Sequence, residues 1–366
     1  MGEAGGGCEA LERLPSGQSP AIAAVMFAAG VLGNVAALGL LLRAGRRRRR
    51  RRGAPPGGAS PFHGLVTALV LTDLLGTCLT SPVVLAAYGR GRALLALGAG
   101  GRLCPYFAFA MSFFALATVG CLGAMALERS LALGAPYLYR RLLDGRRAAL
   151  LLPAFYALCA LFCALPLLGF GRYVQHCPGT WCFIQTRAPA ARPDAAFALL
   201  YAALLLLLIA AVLLCNLSAG LSLLRMQRRA RRARRLASAA AAALGPPSPA
   251  PRPPPARRAL SVAQELDHLI LLAIMTLAFA VCSLPFTIRV FLNRFTGDGD
   301  YREDLRALRF LSINSIIDPW IFTILRPPVL RLIRSALCCR IPRKPRNSSP
   351  SVNRPEPSTP IEVYKE

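Results

Sequence analysis

Seven apolar stretches divide the chain, and polar or basic segments separate them. Each stretch is close to the roughly 20 residues that a helix needs to cross ~30 Å of hydrocarbon. The predicted spans are residues 21–42, 62–88, 104–127, 148–168, 195–224, 266–292 and 305–322. The pattern therefore predicts an all-α membrane protein, a bundle of seven transmembrane helices.

The segments outside these spans are predicted to differ in structure. Residues 1–20 form a Gly-rich amino-terminal tail, and residues 21–340 form the membrane domain. Within that domain, residues 225–262 are rich in Arg, Ala and Pro, which predicts a disordered loop. Residues 327–337 place apolar and basic positions at helical spacing, which predicts a short amphipathic eighth helix along the membrane surface. Residues 341–366 are rich in Ser and Pro, which predicts a disordered tail.

The chain is strongly basic, with a formal net charge of +27 over 366 residues. Its hydrophobic content of 55% and mean hydropathy of +0.46 exclude an ordinary soluble protein. The basic residues cluster at 46–52, 225–235 and 326–346, always beside apolar stretches. Because cytoplasmic loops are enriched in Lys and Arg, these clusters predict an extracellular amino terminus and argue against a nucleic-acid partner.

The last apolar stretch carries two charged residues, Arg309 and Asp318, among almost entirely apolar neighbours. An ionisable group facing hydrocarbon costs roughly 2.5–3.5 kcal/mol, so each should face a cavity or a partner. A guanidinium in an apolar pocket is a bidentate partner for a carboxylate. Arg309 therefore favours an amphipathic acid with a long apolar body as ligand. The alternative, a side chain that only reaches the headgroups, fits Arg306 better.

Polar side chains recur near the middle of four predicted spans. They are Asn34, Asp73, Thr118, Asn314, Ser315 and Asp318. If they converge, they form a hydrated polar cluster that could bind sodium at Asp73 and Asp318 and repack between two states. The alternative interpretation is a static, hydrogen-bonded core.

Cysteines outside the spans suggest one disulfide and one lipid attachment site. Cys104 begins the third span, and Cys177 and Cys182 lie in a later extracellular loop. A disulfide from Cys104 would tie that loop over the bundle, but the spacing does not choose between Cys177 and Cys182. The pair Cys338 and Cys339, beside arginines near the membrane, is a candidate for palmitoylation, with unmodified thiols as the alternative.

Enzyme motifs are not found in the sequence. It has no HExxH helix and no GxSxG elbow, and its three histidines fall in separate regions. No cofactor is predicted. A lipid transporter that uses Arg309 as a substrate site is the competing class, although transporters usually contain internal repeats and none is found here.

The order and spacing of these residues resemble the rhodopsin-like G-protein-coupled receptors over about residues 21–340. The shared features are Gly33-Asn34, Asp73, Cys104, Glu128-Arg129, Pro285 and Asp318-Pro319-Trp320-Ile321-Phe322. Within that family the chain is similar to the prostanoid receptors. That similarity rests on Cys177-Pro-Gly-Thr-Trp-Cys182, on Ser283 and Asp318, and on Arg309 within Leu-Arg-Phe-Leu-Ser. Long runs such as 267–276 and 279–288 resemble those of the prostaglandin E receptors.

The resemblance implies a multi-pass receptor of the plasma membrane. Its ligand would be prostaglandin E, and its partner would be the stimulatory G protein, which raises cyclic AMP. Receptors for prostacyclin or prostaglandin D are the alternatives within the family. The lipid transporter remains the alternative of another class.

The resemblance also implies roles for individual residues. Arg309 would bind the prostaglandin carboxylate, with Tyr88 and Thr180 donating hydrogen bonds beside it. Four further residues would line the pocket: Met26, Met111, Trp181 and Ser312. Cys104 would pair with Cys182. Residues of the G-protein interface and the switch would be Glu128, Arg129, Asp73, Asn314, Asp318 and Pro285.

Overall fold

The fold is described from a computed structural model of the chain, which describes residues 10–52, 61–142, 145–187, 191–244, 255–295 and 301–325. Seven long helices account for most of these residues. They are Ala21–Arg52 (α1), Pro61–Arg90 (α2), Leu103–Gly134 (α3), Gly145–Ala164 (α4), Arg192–Leu244 (α5), Pro255–Phe295 (α6) and Tyr301–Ile324 (α7). Short helices at Leu94–Leu97 and Pro136–Leu142 and 3₁₀ turns at Ala99–Gly101 and Leu165–Leu168 lie in the connections.

Helix α3 lies at the centre of the bundle. It packs against α2, α4, α5, α6 and α7, whereas α1 closes the ring by packing against α2 and α7. In its most apolar stretch α3 is 61% buried, against 11% for the span Leu150–Leu168, which covers most of α4. The apolar surface that α4 leaves exposed is typical of a helix that faces lipid.

Six of the long helices are long and apolar enough to cross a membrane, by length and composition alone. Helix α7 is not among these six, and it contains the charged residues Arg302, Glu303, Asp304, Arg306, Arg309 and Asp318. It nevertheless packs against α1, α2 and α6 as a full member of the bundle. The predicted seven-helix bundle is therefore confirmed.

A short hairpin covers one end of the bundle, called here the hairpin end. Its strands, Tyr173–His176 (β1) and Trp181–Ile184 (β2), are antiparallel, with His176 opposite Trp181. A disulfide joins Cys104 at the start of α3 to Cys182 in β2, with 5.4 Å between the Cα atoms. This confirms the predicted pairing and resolves the choice between the two loop cysteines. Cys177 is also disulfide-bonded.

The amino-terminal segment adds a second layer to the hairpin end. The amide of Leu14 donates to the Gly91 carbonyl at 3.0 Å, and the amide of Ala93 donates to the Glu12 carbonyl at 2.9 Å. Gln175 links this segment to the hairpin, since its side-chain amide donates to the Leu11 carbonyl at 3.0 Å. Three separate parts of the chain therefore cover the same end of the bundle.

The prediction of a disordered loop at 225–262 is wrong over most of that range. Helix α5 continues to Leu244, and α6 already begins at Pro255. The physical reason is composition, because residues 225–244 consist largely of Arg, Ala and Leu, which are strong helix formers. A helix that is already nucleated in the membrane extends through them with no further nucleation cost.

Some predictions lie outside the described residues. These are the eighth helix at 327–337, the palmitoylation candidates Cys338 and Cys339, and the tail at 341–366. They stay predictions.

Candidate functional site

A cavity lies among α1, α2, α3 and α7, beneath the hairpin. Four of the residues assigned to ligand binding line it: Met26, Met111, Trp181 and Ser312. Each comes from a different element, α1, α3, β2 and α7 respectively. The fold thus brings four predicted side chains into one space.

Other lining residues were missed by the sequence reasoning. Phe107 and Phe114 lie on the same face of α3 as Met111, because residues three and four apart share a helix face. Counting from Met111 at that spacing would have found them. Thr118, predicted for the polar cluster, lies on that face too. The same spacing counted from Asp73 finds further lining residues on α2: Gly76, Thr77, Thr80, Ser81 and Val84.

Three predicted ligand-binding residues lie near the hairpin end, outside the cavity lining. Thr180, in the turn between the strands, is fully buried, and its hydroxyl has no hydrogen-bond partner among the described residues. Tyr88, near the end of α2, and Arg309 are half-buried. The hydroxyl of Ser312 donates to the Arg309 carbonyl at 2.8 Å. Arg309 therefore lies one helical turn above the cavity-lining Ser312, toward the hairpin.

Arg306 and Arg309, in the first half of α7, have different surroundings. Arg306 pairs with Glu303 at 2.5 Å, and its side chain is 66% exposed. Arg309 is only half-exposed, and none of the salt bridges between described residues involves it. The chemistry of an unneutralised guanidinium beside an apolar cavity suits an anionic ligand group.

His176, in β1, is buried beneath the hairpin surface, 6% exposed. Burial, the largest cause, and nearby Arg187 lower its pKa from the ordinary value of 6.5 to about 4. Asp304 and a hydrogen bond to the Ile184 backbone act in the opposite direction. The imidazole is therefore neutral near pH 7.

The buried acids Asp73 and Asp318 are each 1% exposed. The Thr118 hydroxyl donates to Asp73 Oδ1 at 2.8 Å. Asp73 Oδ2 and both carboxylate oxygens of Asp318 have no hydrogen-bond partner among the described residues. The cluster therefore combines strong acceptors that a proton or a cation could satisfy.

Amides complete the mid-bundle cluster. Asn34 Nδ2 in α1 donates to the Ser315 carbonyl in α7 at 3.0 Å. Asn314 Nδ2 donates to the hydroxyl of Ser283 at 3.1 Å, which links α7 to α6 two residues before Pro285. The predicted convergence of polar groups from several helices is therefore present in the structure.

At the end opposite the hairpin, Arg129 of α3 makes a dense set of contacts. Its Nη2 donates to Glu128 Oε1 at 2.6 Å, and its Nη1 donates to Glu265 Oε2 of α6 at 2.7 Å. Its guanidinium carbon lies 5.0 Å from the ring centre of Phe62, which also stacks on His268 of α6 at 4.7 Å. Three helices, α2, α3 and α6, meet at this cation.

In the described parts of the chain, no group of three or more His, Cys, Asp or Glu side chains is placed to hold a metal ion.

Comparison with known families and proteins agrees with this geometry. The family described as 7 transmembrane receptor (rhodopsin family) matches residues 58–322. The Prostaglandin E2 receptor EP2 subtype of Homo sapiens is 55% identical over 337 residues, covering 91% of this chain and 90% of that receptor. The Prostacyclin receptor of Homo sapiens is 47% identical over 335 residues, covering 91% and 79%.

Among solved structures, squid rhodopsin is similar to this chain with a TM-score of 0.66. The match covers 88% of this chain and 87% of that one, at 15% sequence identity. At that identity the likeness supports the fold of the helical bundle alone.

Proposed function

This chain belongs to the rhodopsin family of seven-transmembrane receptors and, within it, to the prostanoid receptors, and from that premise we propose that it is the receptor for prostaglandin E. It is a multi-pass membrane receptor and not an enzyme. The hairpin end would face the outside of the plasma membrane, together with the amino terminus. The partner would be the stimulatory G protein, and the response would be a rise in cyclic AMP.

The observation that carries the proposal is the position of Arg309. It lies one turn above a cavity lined by Met26, Met111 and Ser312, and no described carboxylate neutralises it. A prostaglandin has a carboxylate at one end of a long apolar body. The carboxylate would bind Arg309 by charge-assisted hydrogen bonds, and the apolar body would enter the cavity.

Thr180 would be a second partner for that carboxylate. Its hydroxyl is buried without a hydrogen-bond partner among the described residues, which costs free energy in the empty state. A bound carboxylate would accept its hydrogen bond and remove that cost. Tyr88 would donate another from the end of α2.

The transmitting region would be the cluster around Arg129. The pair from Arg129 of α3 to Glu265 holds α6 against α3 in this conformation, and Glu128, on α3 itself, also pairs with Arg129. An agonist would favour a second conformation in which α6 moves away and opens a cleft for the G protein, a shift in population between two states. Asp73, Asn314, Asp318 and Pro285 would lie along the path between the ligand and this cleft.

The acids Asp73 and Asp318 would be the residues that hold a sodium ion. The unpartnered oxygens of these two residues, with those of Asn34 and Asn314, fit a hard cation, which prefers oxygen ligands. A bound cation would supply the positive charge that two adjacent buried carboxylates lack. Replacing sodium by a large organic cation would then raise agonist affinity if the ion favours the inactive state.

The experiment that tests the proposal is a cyclic AMP titration in cells expressing this chain. Prostaglandin E, prostaglandin D and a prostacyclin analogue are compared at equal receptor density. A response led by prostaglandin E supports the proposal. A response led by another prostanoid would assign that prostanoid as the ligand and would keep the receptor class. The absence of any response, with the protein at the cell surface, would overturn the proposal.

A lipid transporter that uses Arg309 as its substrate site is the competing function. Replacement of Arg129 separates the two, because Arg129 lies at the end of the bundle opposite the ligand. In a receptor, Arg129→Ala abolishes cyclic AMP signalling while prostaglandin binding persists. A transporter would move lipid with or without Arg129.

A further inference from the structure

A buried ion network joins three elements at the hairpin end. Asp304, in the first turn of α7, is 5% exposed. Its Oδ2 accepts hydrogen bonds from Arg187 Nε at 2.9 Å and Nη2 at 2.7 Å. Its Oδ1 accepts from Arg289 Nε at 2.9 Å and Asn293 Nδ2 at 3.1 Å. One carboxylate therefore receives four hydrogen bonds from three residues.

The donors come from different parts of the fold. Arg187 lies in the loop that leaves the hairpin after β2, and Arg289 and Asn293 lie on α6. Asn293 extends the network in two directions: its Oδ1 accepts from Arg289 Nη2 at 3.0 Å, and its Nδ2 donates to the Thr186 hydroxyl at 3.1 Å. The network thus fixes the loop, α6 and α7 to one another.

The location of this network relates it to the proposed ligand anchor. Arg309 follows Asp304 by five residues, which is about 7.5 Å along a helix axis. Thr180 and Trp181 belong to the hairpin whose exit carries Arg187. The two sides of the ligand-binding region, the hairpin and α7, are therefore held at their mutual distance by Asp304.

The charges of the network are unusually well enclosed. The side chains of Arg187 and Arg289 are 12% and 13% exposed. The side chain of Arg306, which pairs with Glu303 at the surface nearby, is 66% exposed. Ion pairs this far from solvent depend strongly on both partners, since removal of one leaves a buried charge uncompensated. A surface pair such as Arg306 with Glu303 contributes little by comparison.

We infer that Asp304 is a positioning residue for ligand binding. It holds the hairpin closed over α6 and α7, so that a ligand bound at Arg309 is retained beneath the hairpin. The inference rests on the proposed binding of prostaglandin E at Arg309. Asp304 does not touch the ligand. It acts through the hairpin and through the first turns of α7.

The test compares the dissociation of labelled prostaglandin E from membranes that contain wild type, Asp304→Asn or Glu303→Gln. Glu303 is the matched control, because it precedes Asp304 on the same helix and pairs only at the surface. Asp304→Asn should release the ligand on the order of tenfold faster, the scale of a lost charge-assisted hydrogen bond. Glu303→Gln should match wild type.

Two further variants show whether the effect arises from the network. Arg289→Gln alone should also speed dissociation. Asp304→Asn combined with Arg289→Gln should be no faster than the faster single variant, because both remove the same contact. Effects that multiply in the double variant would overturn the inference, and so would equal release from Asp304→Asn and Glu303→Gln.

A ligand-independent measurement separates this inference from the proposed function. Amide hydrogen exchange in residues 173–187 should be faster in Asp304→Asn than in Glu303→Gln, with no ligand present. If wild type fails to bind prostaglandin E, the proposed function fails, while the exchange result still decides whether Asp304 closes the loop. Unchanged exchange would overturn the closure itself.

Discussion

At the scale of single residues, charge in an apolar sequence is visible, but its partners are not. Arg309 could be singled out from the sequence because its neighbours are apolar, and its lack of a described carboxylate partner agrees with that interpretation. Asp304 could not be singled out, since an acid in the first turn of a helix is common. Its partner Arg187 lies 117 positions away in the chain. Only the tertiary fold brings the two together.

Glycines before β1 provide a matched test of packing at the residue scale. Gly169 and Gly171 both have φ near 97°, in the left-handed region. A Cβ on Gly171 would lie 2.7 Å from the Phe197 Cβ, whereas one on Gly169 would meet nothing within 4 Å. Gly171→Ala should therefore destabilise the protein by about 1–3 kcal/mol more than Gly169→Ala.

Thermal unfolding of the two purified variants in detergent measures this difference. Both variants carry the cost of an alanine at positive φ, about 1–2 kcal/mol, so that cost cancels in the comparison. Equal unfolding temperatures would show that the contact with Phe197 is relieved without cost.

At the scale of elements, hydrophobic periodicity predicted the existence of the helices better than their ends. The predicted sixth span, 266–292, lies inside α6, which runs from Pro255 to Phe295. A span prediction stops where the apolar residues stop, but a helix stops where its backbone loses hydrogen bonds. Helices that leave the membrane through Arg-rich and Ala-rich sequence therefore exceed the prediction.

The hairpin was missed because its strands have four residues each and carry no clear alternation. Its sequence shows only a turn and a pair of cysteines. The strands are held in place by contacts from elsewhere, namely the disulfide to α3 and the hydrogen bond from the Leu94 amide to the Gly179 carbonyl at 2.8 Å. Such contacts cannot be found by local sequence patterns.

The buried imidazole of His176 makes hairpin stability depend on pH. Burial lowers its pKa to about 4 in the folded state, against 6.5 when the hairpin is open. The stabilisation is thus complete above pH 6.5 and is lost as the pH falls toward 4, by up to about 1.4 kcal/mol per pH unit. Arg187 opposes the protonated form, and Asp304 favours it.

Hydrogen exchange of residues 173–184, corrected for the intrinsic pH dependence, measures this effect between pH 7.5 and 5. The hairpin amides should lose protection as the pH falls below 6.5. The matched variant is His176→Gln, which cannot gain a proton and should show a flat profile. The same slope in both proteins would contradict the assignment to His176.

At the scale of the whole molecule, α6 connects the two ends of the bundle. Near the hairpin, Arg289 binds Asp304, and at the opposite end Glu265 binds Arg129. Arg289 and Glu265 are 24 positions apart on α6, or about 36 Å along a helix. A ligand that changes the first contact can therefore influence the second through one rigid element, although the sequence alone showed neither contact.

The pair between Arg129 and Glu265 should restrain the receptor in the absence of ligand. Glu265→Gln removes the charge while keeping the shape of the side chain. A loss of about 1 kcal/mol would shift a two-state equilibrium about fivefold toward the active state. Cyclic AMP without agonist should rise accordingly at equal surface expression.

Asp267→Asn is the control for this variant. Asp267 lies two residues further along α6, where its side chain is exposed. It should leave the basal cyclic AMP unchanged. If both variants raise the basal signal equally, general loss of negative charge and not the pair with Arg129 is responsible.

The central claim is that Arg309 anchors the carboxylate of a prostaglandin, and equilibrium binding of labelled prostaglandin E tests it most directly. Membranes with wild type, Arg309→Ala and Arg306→Ala are compared. Arg309→Ala should raise the Kd tenfold or more, because a hydrogen bond to a charged group contributes about 1.5–3 kcal/mol. Arg306→Ala should stay close to wild type, since its pair with Glu303 is at the surface. Wild-type affinity in Arg309→Ala, or equal losses in the two variants, would contradict the account.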